Sequence, residues 1–322
     1  TIKIGLLGLG NIGTGTYKTL EMNRSEIEST LNAKVEIVKI LERDTERDRG
    51  ITVPKEKFTS DPDEIFQDPE IDIVIELLGG IEPATTFMLS ALKNGKHVVT
   101  ANKAALAANY HELINAAKEN NVILRFEASV GGGIPILGTL TGPLRANKFE
   151  EVMGILNGTT NYILTMMTKE GLDYETALKD AQEQGFAEAD PTADVEGIDA
   201  ANKLTILMAL MFDKYVAPKD IPTTGITEIT KEKIEEARSN GCKIKLIAHA
   251  WRDENDEIKY EVRPMYISAT HPLANINKEF NAVFVKGNAV DDVMFYGKGA
   301  GPLPTGSAVL GDVIDISMMI LK

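Results

Sequence analysis

The first 130 residues alternate between two patterns of apolar and polar positions. Segments apolar nearly throughout predict buried strands, and helical patterns such as 83–94 and 103–120 lie between several of them. The strand segments are 1–10, 35–41, 71–80, 97–101 and 122–130. Strands buried on both faces and separated by helices are typical of a parallel sheet, so we predict an α/β, doubly wound Rossmann domain.

Beyond a glycine-rich segment near residue 131 the alternation of strand and helix patterns stops. Helical patterns cover 159–181 and 194–212, and strand patterns typical of an antiparallel sheet follow at 243–251, 258–268 and 281–287. This predicts a second domain that is α+β in character. A glycine-rich loop and an amphipathic C-terminal helix then return to the first domain. The expected domain boundaries are 1–131, 132–286 and 287–322.

The composition narrows the possible partners. The chain has 322 residues, 43% hydrophobic and 25% charged, with a net charge of −14. This negative net charge argues against nucleic acid and against anionic membranes as partners, because both bind cationic surfaces. No window reaches about 18 uninterrupted apolar residues, so we predict no transmembrane helix. The single cysteine, Cys242, excludes an internal disulfide and fits a reducing cytoplasm, where we expect a soluble protein.

A glycine pattern follows the first strand and opens the first helix. Gly8 allows a tight turn, Gly10 lets a pyrophosphate approach the backbone, and Gly13 lets helix and strand pack closely. Glycines that serve only turn geometry are the alternative. The position inside a series of strands and helices favours dinucleotide binding.

The residues after the second strand bear on which cofactor is bound. Glu42 or Asp44 can hold a ribose 2′-hydroxyl, which favours NAD, whereas Arg43 can hold the 2′-phosphate of NADP. All three also fit a solvated charged loop. We favour NADP, and NAD stays possible.

Lys103 follows a parallel strand and begins a helix. Ligands bind at that edge of open α/β sheets, and the helix dipole disfavours a lysine there, so Lys103 is a candidate functional residue. An exposed lysine without a function is the alternative.

An acidic segment ends in a lysine. Five carboxylates occupy the twelve positions from Glu188 to Asp199, and Lys203 follows, where the chain becomes apolar. Asp199 and Lys203 are four apart on the predicted helix, and Glu196 is seven from Lys203, so all three should share one side. The alternative interpretation is that Asp199 and Lys203 form an ion pair that only stabilises the structure. The excess of acids favours a bound ammonium group, with a divalent cation as the rival.

Four ordered segments resemble the homoserine dehydrogenase family over essentially the whole chain. They are "TANKAALA", "LNGTTNYIL", "GFAEADPTADVEGIDAANKL" and "GKGAG", which follow the N-terminal glycine pattern. The family interconverts L-homoserine and L-aspartate 4-semialdehyde with NAD(P), on the route to threonine, isoleucine and methionine. The resemblance therefore implies a nicotinamide-dependent oxidoreductase with these two small-molecule substrates.

The resemblance also implies roles for individual residues. Lys203 is similar to the family's proton donor and acceptor, and Lys103 to its partner lysine near nicotinamide and substrate. Which lysine transfers the proton is left open. Glu188 and Asp199 match the substrate-binding acids, supported by Asp194. The expected cofactor-binding residues are Gly8, Gly10, Asn11, Ile12, Gly13, Arg43, Gly79, Lys103 and Gly301.

Further expectations rest on the same resemblance. The segment "EASVGGGIP" is similar to the family's monovalent cation loop, in which Glu127 and the carbonyls of Val130, Gly132 and Ile134 would hold sodium. We expect a homodimer through the second domain's sheet. Many members carry a C-terminal regulatory ACT domain, and this sequence stops at Lys322. Either this is a short form or such a domain has been removed, and in both cases we expect the present chain to show no threonine feedback by that route. An aspartate or diaminopimelate dehydrogenase, and a sensor that binds NADP(H) without turnover, are the alternatives.

Overall fold

A computed structural model describes residues 1–322, which form two compact units. Unit 1 comprises Thr1–Gly133 and Ala300–Lys322, and unit 2 comprises Ile134–Gly299. The domain boundaries expected at 131 and 286 stay a prediction, and the segment that rejoins unit 1 begins at Ala300.

Unit 1 is built on a parallel sheet. Its strands are β1 (Ile2–Leu7), β2 (Val35–Leu41), β3 (Phe58–Thr59), β4 (Ile73–Glu76), β5 (His97–Thr100) and β6 (Leu124–Arg125). They pair in the order β3-β2-β1-β4-β5-β6, and every pairing is parallel. Strands β1, β4 and β5 are buried almost throughout, because helices cover both faces. This strand order is that of doubly wound dinucleotide-binding sheets, which confirms the predicted fold class.

Short helices connect these strands. They are α1 (Asn11–Met22), α2 (Arg24–Leu31), α3 (Asp63–Phe66), α4 (Ala84–Lys93), α5 (Lys103–Ala108) and α6 (Tyr110–Glu119), with 3-10 turns at Lys55–Lys57 and Glu127–Ser129. The single helix predicted over 103–120 is therefore two helices. Asn109 separates them with φ −126° and ψ 31°, outside the helical region.

Unit 2 is built on an antiparallel sheet. Its strands are β7 (Phe149–Ile155), β8 (Cys242–Arg252), β9 (Ile258–Ser268), β10 (Phe280–Gly287) and β11 (Asp291–Lys298). They pair in the order β11-β10-β7-β8-β9. Strands β8, β9 and β10 were predicted from the sequence, whereas β7 and β11 were not.

Six helices accompany this sheet. They are α7 (Leu137–Thr141), α8 (Gly158–Glu170), α9 (Tyr174–Glu183), α10 (Thr192–Val195), α11 (Ile198–Phe212) and α12 (Lys231–Ser239), with 3-10 turns at Pro218–Asp220 and Pro272–Asn275. Helices α8, α11 and α12 pack against β8. The helix predicted over 159–181 is broken at Gly171, whose φ of +67° ends α8 in the left-handed region.

The last helix, α13 (Pro302–Ile320), belongs to unit 1, as predicted for a returning C-terminal helix. It packs so closely on α1 that a Cβ at Gly15 would lie 2.2 Å from the carbonyl oxygen of Pro302. Val309 and Val313 join the core of unit 1. By length and composition α13 is also the one helix that could cross a membrane. Since one of its faces is buried in that core, we take it as a core helix.

Candidate active site

The glycine loop leads from β1 into α1. Gly8 has a φ of +93°, which favours glycine, and a Cβ at Gly13 would lie 2.2 Å from the carbonyl oxygen of Gly8. A Cβ at Gly10, by contrast, would meet no heavy atom within 4 Å. The outer side of the turn is therefore open to a pyrophosphate group, and Asn11 and Ile12 begin the helix there. The loop fits a dinucleotide.

Glu42 follows β2, where an acid that binds ribose is expected, but its carboxylate already has partners. One oxygen accepts the backbone N–H of Arg43 at 2.8 Å and that of Asp44 at 3.0 Å. The other accepts the N–H of Leu9 at 3.1 Å and lies 3.2 Å from the Arg49 guanidinium. Burial opposes ionisation of Glu42, but these donors outweigh it and lower its pKa. The Arg43 side chain is exposed.

Gly79 and Lys103 lie in two loops at the carboxyl edge of the unit 1 sheet. Gly79 follows β4 with φ +80°, and a Cβ there would meet no atom within 4 Å. Lys103 is half-buried and is the first residue of α5. The Asn102 side chain accepts the N–H of Ala105 at 3.0 Å and donates to the carbonyl of Gly80 at 2.7 Å, which joins the two loops. Lys103 thus stands at the edge where such sheets bind ligands.

The C-terminal helix contributes two residues to this unit's candidate sites. Gly301 precedes α13 with φ +113°, a conformation that favours glycine. Asp312 lies within α13 and is buried, and its carboxylate accepts the backbone N–H of Glu127 at 2.8 Å. Burial raises the pKa of Asp312 to about 7. The returning helix therefore anchors the start of the predicted cation loop.

The predicted cation loop runs from Glu127 to Ile134, the first residue of unit 2. Glu127 opens a 3-10 turn, Val130 is extended, and Gly132 has a φ of +54°. The expected donors are one carboxylate and three backbone carbonyls. An all-oxygen set of this kind suits a hard cation rather than a transition metal.

In unit 2, Lys203 and Asp199 form a buried ion pair on α11, as the four-residue spacing predicted. The Lys203 Nζ lies 2.7 Å from Asp199 Oδ2 and donates to the carbonyl of Leu156, also at 2.7 Å. Lys203 and Asp199 are only 8% and 7% exposed. A buried pair is stable only when further hydrogen bonds compensate for lost hydration. The Asn157 amide supplies one, since it donates to Asp199 Oδ2 at 2.9 Å.

Asn157 connects this pair to a second carboxylate. Its amide donates to Asp194 Oδ1 at 2.7 Å, and the Thr159 hydroxyl donates to Asp194 Oδ2 at 3.0 Å. The resulting group, called here the Lys203 cluster, consists of Leu156, Asn157, Thr159, Asp194, Asp199 and Lys203. It contains two carboxylates and one cation, so it attracts a further positive charge.

Two acids of the segment lie apart from this cluster. Glu188 is exposed in the loop between α9 and α10, and no hydrogen bond joins its side chain to the cluster. Glu196 precedes α11, and Gly197 at φ +82° separates it from the helix. The expectation that Glu196 shares a helix face with Lys203 is therefore wrong. No group of three or more acids, histidines or cysteines is arranged to hold a metal.

Sequence reasoning gave no role to Asn157 or Thr159, which complete the cluster. The segment "LNGTTNYIL" contained the signal, because an asparagine just before a helical pattern is a common N-cap. The Asn157 side-chain oxygen accepts the N–H of Thr160 at 2.9 Å at the start of α8. This cap fixes the direction of the amide that binds both aspartates.

The fold and these groups define a class of protein. A parallel sheet with an open glycine loop is the architecture of a dinucleotide-binding protein, and a buried lysine held by a carboxylate suits proton transfer. Two family models match the chain: "Homoserine dehydrogenase, NAD binding domain" over residues 8–127 and "Homoserine dehydrogenase" over residues 135–314. The chain therefore belongs to the homoserine dehydrogenase family, oxidoreductases that act on a CH–OH group with a nicotinamide cofactor.

Individual relatives agree with this assignment. The homoserine dehydrogenase of Bacillus subtilis is 45% identical over 315 residues, which cover 98% of this chain and 72% of the relative. That of Synechocystis is 44% identical over 319 residues, with 98% and 73% covered. The crystal structure of the Thiobacillus denitrificans enzyme is 43% identical and superposes with a TM-score of 0.95 over 99% of this chain and 74% of that one. A hyperthermophilic archaeal homoserine dehydrogenase in complex with NADPH is 26% identical, with a TM-score of 0.83 over 99% and 98%.

Proposed function

We propose that the chain interconverts L-homoserine and L-aspartate 4-semialdehyde, with Lys203 as the group that gives and takes the proton. The observation that carries this assignment is the buried Lys203 cluster. An ammonium that is hydrogen-bonded to Asp199 and to the Leu156 carbonyl is fixed in place and shielded from water. Family membership supports the reaction, and the cluster supports the residue roles.

Each direction of the reaction gives the lysine a defined task. When bound, the nicotinamide cofactor supplies a hydride to the aldehyde carbon or accepts one from the alcohol carbon. During reduction the Lys203 ammonium stabilises the negative charge that develops on the substrate oxygen and then protonates it. During oxidation the neutral Lys203 amine accepts the hydroxyl proton. Since oxidation needs the deprotonated amine, the rate of homoserine oxidation should rise with pH.

The remaining acids fit recognition of an amino acid. The Asp194 carboxylate is hydrogen-bonded by Asn157 and Thr159, both neutral donors, so its negative charge remains to attract the substrate ammonium. Asp199 contributes from the same cluster, and we assign Glu188 to the same task on the family resemblance. Lys103, at the carboxyl edge of the parallel sheet, is proposed as the partner lysine for substrate and nicotinamide.

We assign NADP as the preferred cofactor, with NAD as the alternative. Glu42 already accepts three backbone N–H groups and lies 3.2 Å from the Arg49 guanidinium. These four contacts occupy about all the acceptor sites of a carboxylate, so a ribose 2′-hydroxyl would have to displace one of them. The exposed Arg43 guanidinium can meet a 2′-phosphate instead. The glycine-loop residues Gly8, Gly10 and Gly13 would bind the pyrophosphate of either cofactor.

A matched pair of variants tests this preference. Arg43→Ala should weaken NADPH binding by roughly tenfold, as expected for loss of one charge-assisted contact, and should leave NADH binding nearly unchanged. Arg47→Ala, a change of an exposed arginine four positions further, is the control. Equal losses for NADPH and NADH in Arg43→Ala would remove Arg43 from the 2′-phosphate site.

We further propose that Glu127 and the carbonyls of Val130, Gly132 and Ile134 bind a monovalent cation, with sodium favoured. The oxygen-only donor set supports it. Glu127→Gln, measured by sodium-dependent thermal stabilisation against a potassium and a choline reference, should lose the sodium-specific increase in Tm. An equal increase in wild type and variant would contradict the assignment.

A homodimer through the unit 2 sheet is our proposal for the assembly. Tyr296 and Met294 on edge strand β11 are 55% and 39% exposed, which is typical of a surface that another chain covers. Tyr296→Asp should shift the protein to monomer in sedimentation velocity. Met22→Asp, at an apolar residue of α1 that is 67% exposed, should not. The single free cysteine, Cys242, supports a cytoplasmic location.

A further inference from the structure

A buried carboxylate lies at the end of the central strand β4, outside the groups discussed so far as cofactor or substrate ligands. Glu76 has 0% exposure, and the three residues before it in β4 are all apolar and buried. No cationic side chain contacts it. Burial raises the pKa of Glu76, and hydrogen bonds to its carboxylate oppose that rise. An apolar side chain here would avoid the cost of burying a polar group, so packing alone does not account for a glutamate.

The hydrogen bonds of Glu76 reach into two different loops. Its Oε1 accepts the backbone N–H of Leu78 at 2.8 Å, in the loop after β4. Its Oε2 accepts the Thr100 hydroxyl at 2.7 Å, at the end of β5. The Asn102 amide lies 3.5 Å from Oε1, at the limit of a hydrogen bond. One carboxylate therefore connects the ends of two neighbouring strands.

The network extends from Glu76 through Asn102. The Thr100 hydroxyl accepts the N–H of Asn102 at 2.9 Å, and the Asn102 amide donates to the Gly80 carbonyl at 2.7 Å. The Asn102 side-chain oxygen caps α5 by accepting the N–H of Ala105. This places the network directly beside Gly79 in one loop and Lys103 in the other, which are proposed cofactor and substrate residues.

We propose that Glu76 is a positioning residue for the nicotinamide cofactor and for Lys103, because it fixes the loops that carry Gly79 and Lys103 at the carboxyl edge of the sheet. This inference rests on the proposed function of those two residues. Polar groups that orient ligand-binding residues commonly change affinity or activity by 10–100-fold when removed, since the ligands lose their fixed geometry.

The test uses three variants of the whole chain and two readouts. Glu76→Ala removes every hydrogen bond, and Glu76→Gln keeps the shape and the acceptor for Leu78. Thr100→Val removes one donor without changing the side-chain volume. We expect Glu76→Ala to raise the Kd for NADPH by roughly 10-fold or more and to lower kcat, Glu76→Gln to restore most of both, and Thr100→Val to show a smaller loss of the same kind. The KM for homoserine should rise less than the Kd for NADPH, because Asp194 and Asp199, the proposed ligands of the substrate ammonium, lie in unit 2.

Val35→Ala is the control for general loss of stability. Val35 is fully buried in the core of unit 1 and is the first residue of β2, so it lies at the edge of the sheet opposite to the two loops. This variant should lose stability, because it leaves a cavity in the core, while its Kd for NADPH and its kcat stay at the wild-type values.

Two results would overturn the inference. The first is a Glu76→Ala variant that loses thermal stability but keeps its Kd for NADPH and its kcat within about twofold of wild type, when both are measured well below its Tm. A twofold change is small beside the roughly 10-fold or larger effect expected for loss of a positioning residue. The second result applies if Glu76→Ala does not fold: a Thr100→Val variant with the wild-type Kd for NADPH and the wild-type kcat would then overturn the inference. Failure of the wild type to oxidise homoserine at all would instead contradict the proposed function, and the NADPH measurements would still show whether Glu76 acts on cofactor binding.

Discussion

Replacement of Lys203 by alanine should stop turnover and also destabilise unit 2, for two separable reasons. Lys203 and Asp199 are 8% and 7% exposed and their charged atoms lie 2.7 Å apart. Without the ammonium, Asp199 becomes a buried carboxylate with no cationic partner in the cluster, which typically costs ~3–5 kcal/mol of unfolding free energy. For a unit of this size such a loss lowers Tm by on the order of 10 °C.

A double variant separates stability from chemistry. In Lys203→Ala/Asp199→Asn the remaining side chain is neutral, so no buried charge is left without a partner. We expect this double variant to recover much of the lost stability in urea or thermal unfolding. It should not recover activity, because the group that gives and takes the proton is still missing. Asp199→Asn alone serves as the matched control for loss of the carboxylate.

The assay follows reduced nicotinamide by absorbance for turnover and by fluorescence for binding. Loss of a general acid costs roughly 10²–10⁴-fold in kcat, and loss of oxyanion stabilisation adds to it, so turnover should fall below detection. The Kd for NADPH should stay at the wild-type value, because the glycine loop lies in unit 1. Wild-type turnover in either Lys203 variant would refute the assignment. If turnover were lost only in Lys103→Ala, the role of proton donor and acceptor would belong to Lys103 instead.

Three further sets of variants have defined expected outcomes. Gly10→Ala should fold like the wild type but bind NADPH roughly tenfold more weakly, whereas Gly13→Ala should lose ~1–3 kcal/mol of stability in urea, because its Cβ would lie 2.2 Å from the Gly8 oxygen. Glu188→Ala should raise the KM for homoserine without weakening NADPH binding, and an unchanged KM removes Glu188 from the substrate site. Burial lowers the pKa of Lys245 to about 7 from 10.5, so between these values the unfolded chain binds more protons and stability should rise with pH. Urea titrations across that window should show this rise, at most ~1.4 kcal/mol per pH unit, in wild type but not in Lys245→Met.

Five of the six strands of the parallel sheet could be predicted from the sequence, because they are apolar nearly throughout and helices separate several of them. The edge strand β3 (Phe58–Thr59) was missed, because two residues are too few to show a pattern. The antiparallel sheet could be predicted only in part. Strand β7 contains Glu150 and Glu151 in succession, and the edge strand β11 begins with Asp291 and Asp292. These acids weaken the apolar signal of both strands. The partners of β7 also lie far away in the sequence, whereas β11 pairs with the preceding strand β10 as a hairpin.

The candidate site shows the same limit of local patterns. The Asp199–Lys203 pair could be predicted because four residues separate neighbours on a helix face. The contact of Lys203 with Leu156 spans 47 residues and that of Asn157 with Asp199 spans 42, so no helical or strand period reveals them. Glu196 was misplaced for a related reason, since Gly197 interrupts the helix on which its spacing was counted.

The most direct test of the central claim is a homoserine oxidation assay of the wild-type chain, with NADP and NAD side by side and with aspartate and diaminopimelate as competing substrates. We predict NADP reduction that requires homoserine, that is slower with NAD, and that increases as the pH is raised. Bound NADPH without any turnover of homoserine, or turnover of aspartate or diaminopimelate in its place, would contradict the account.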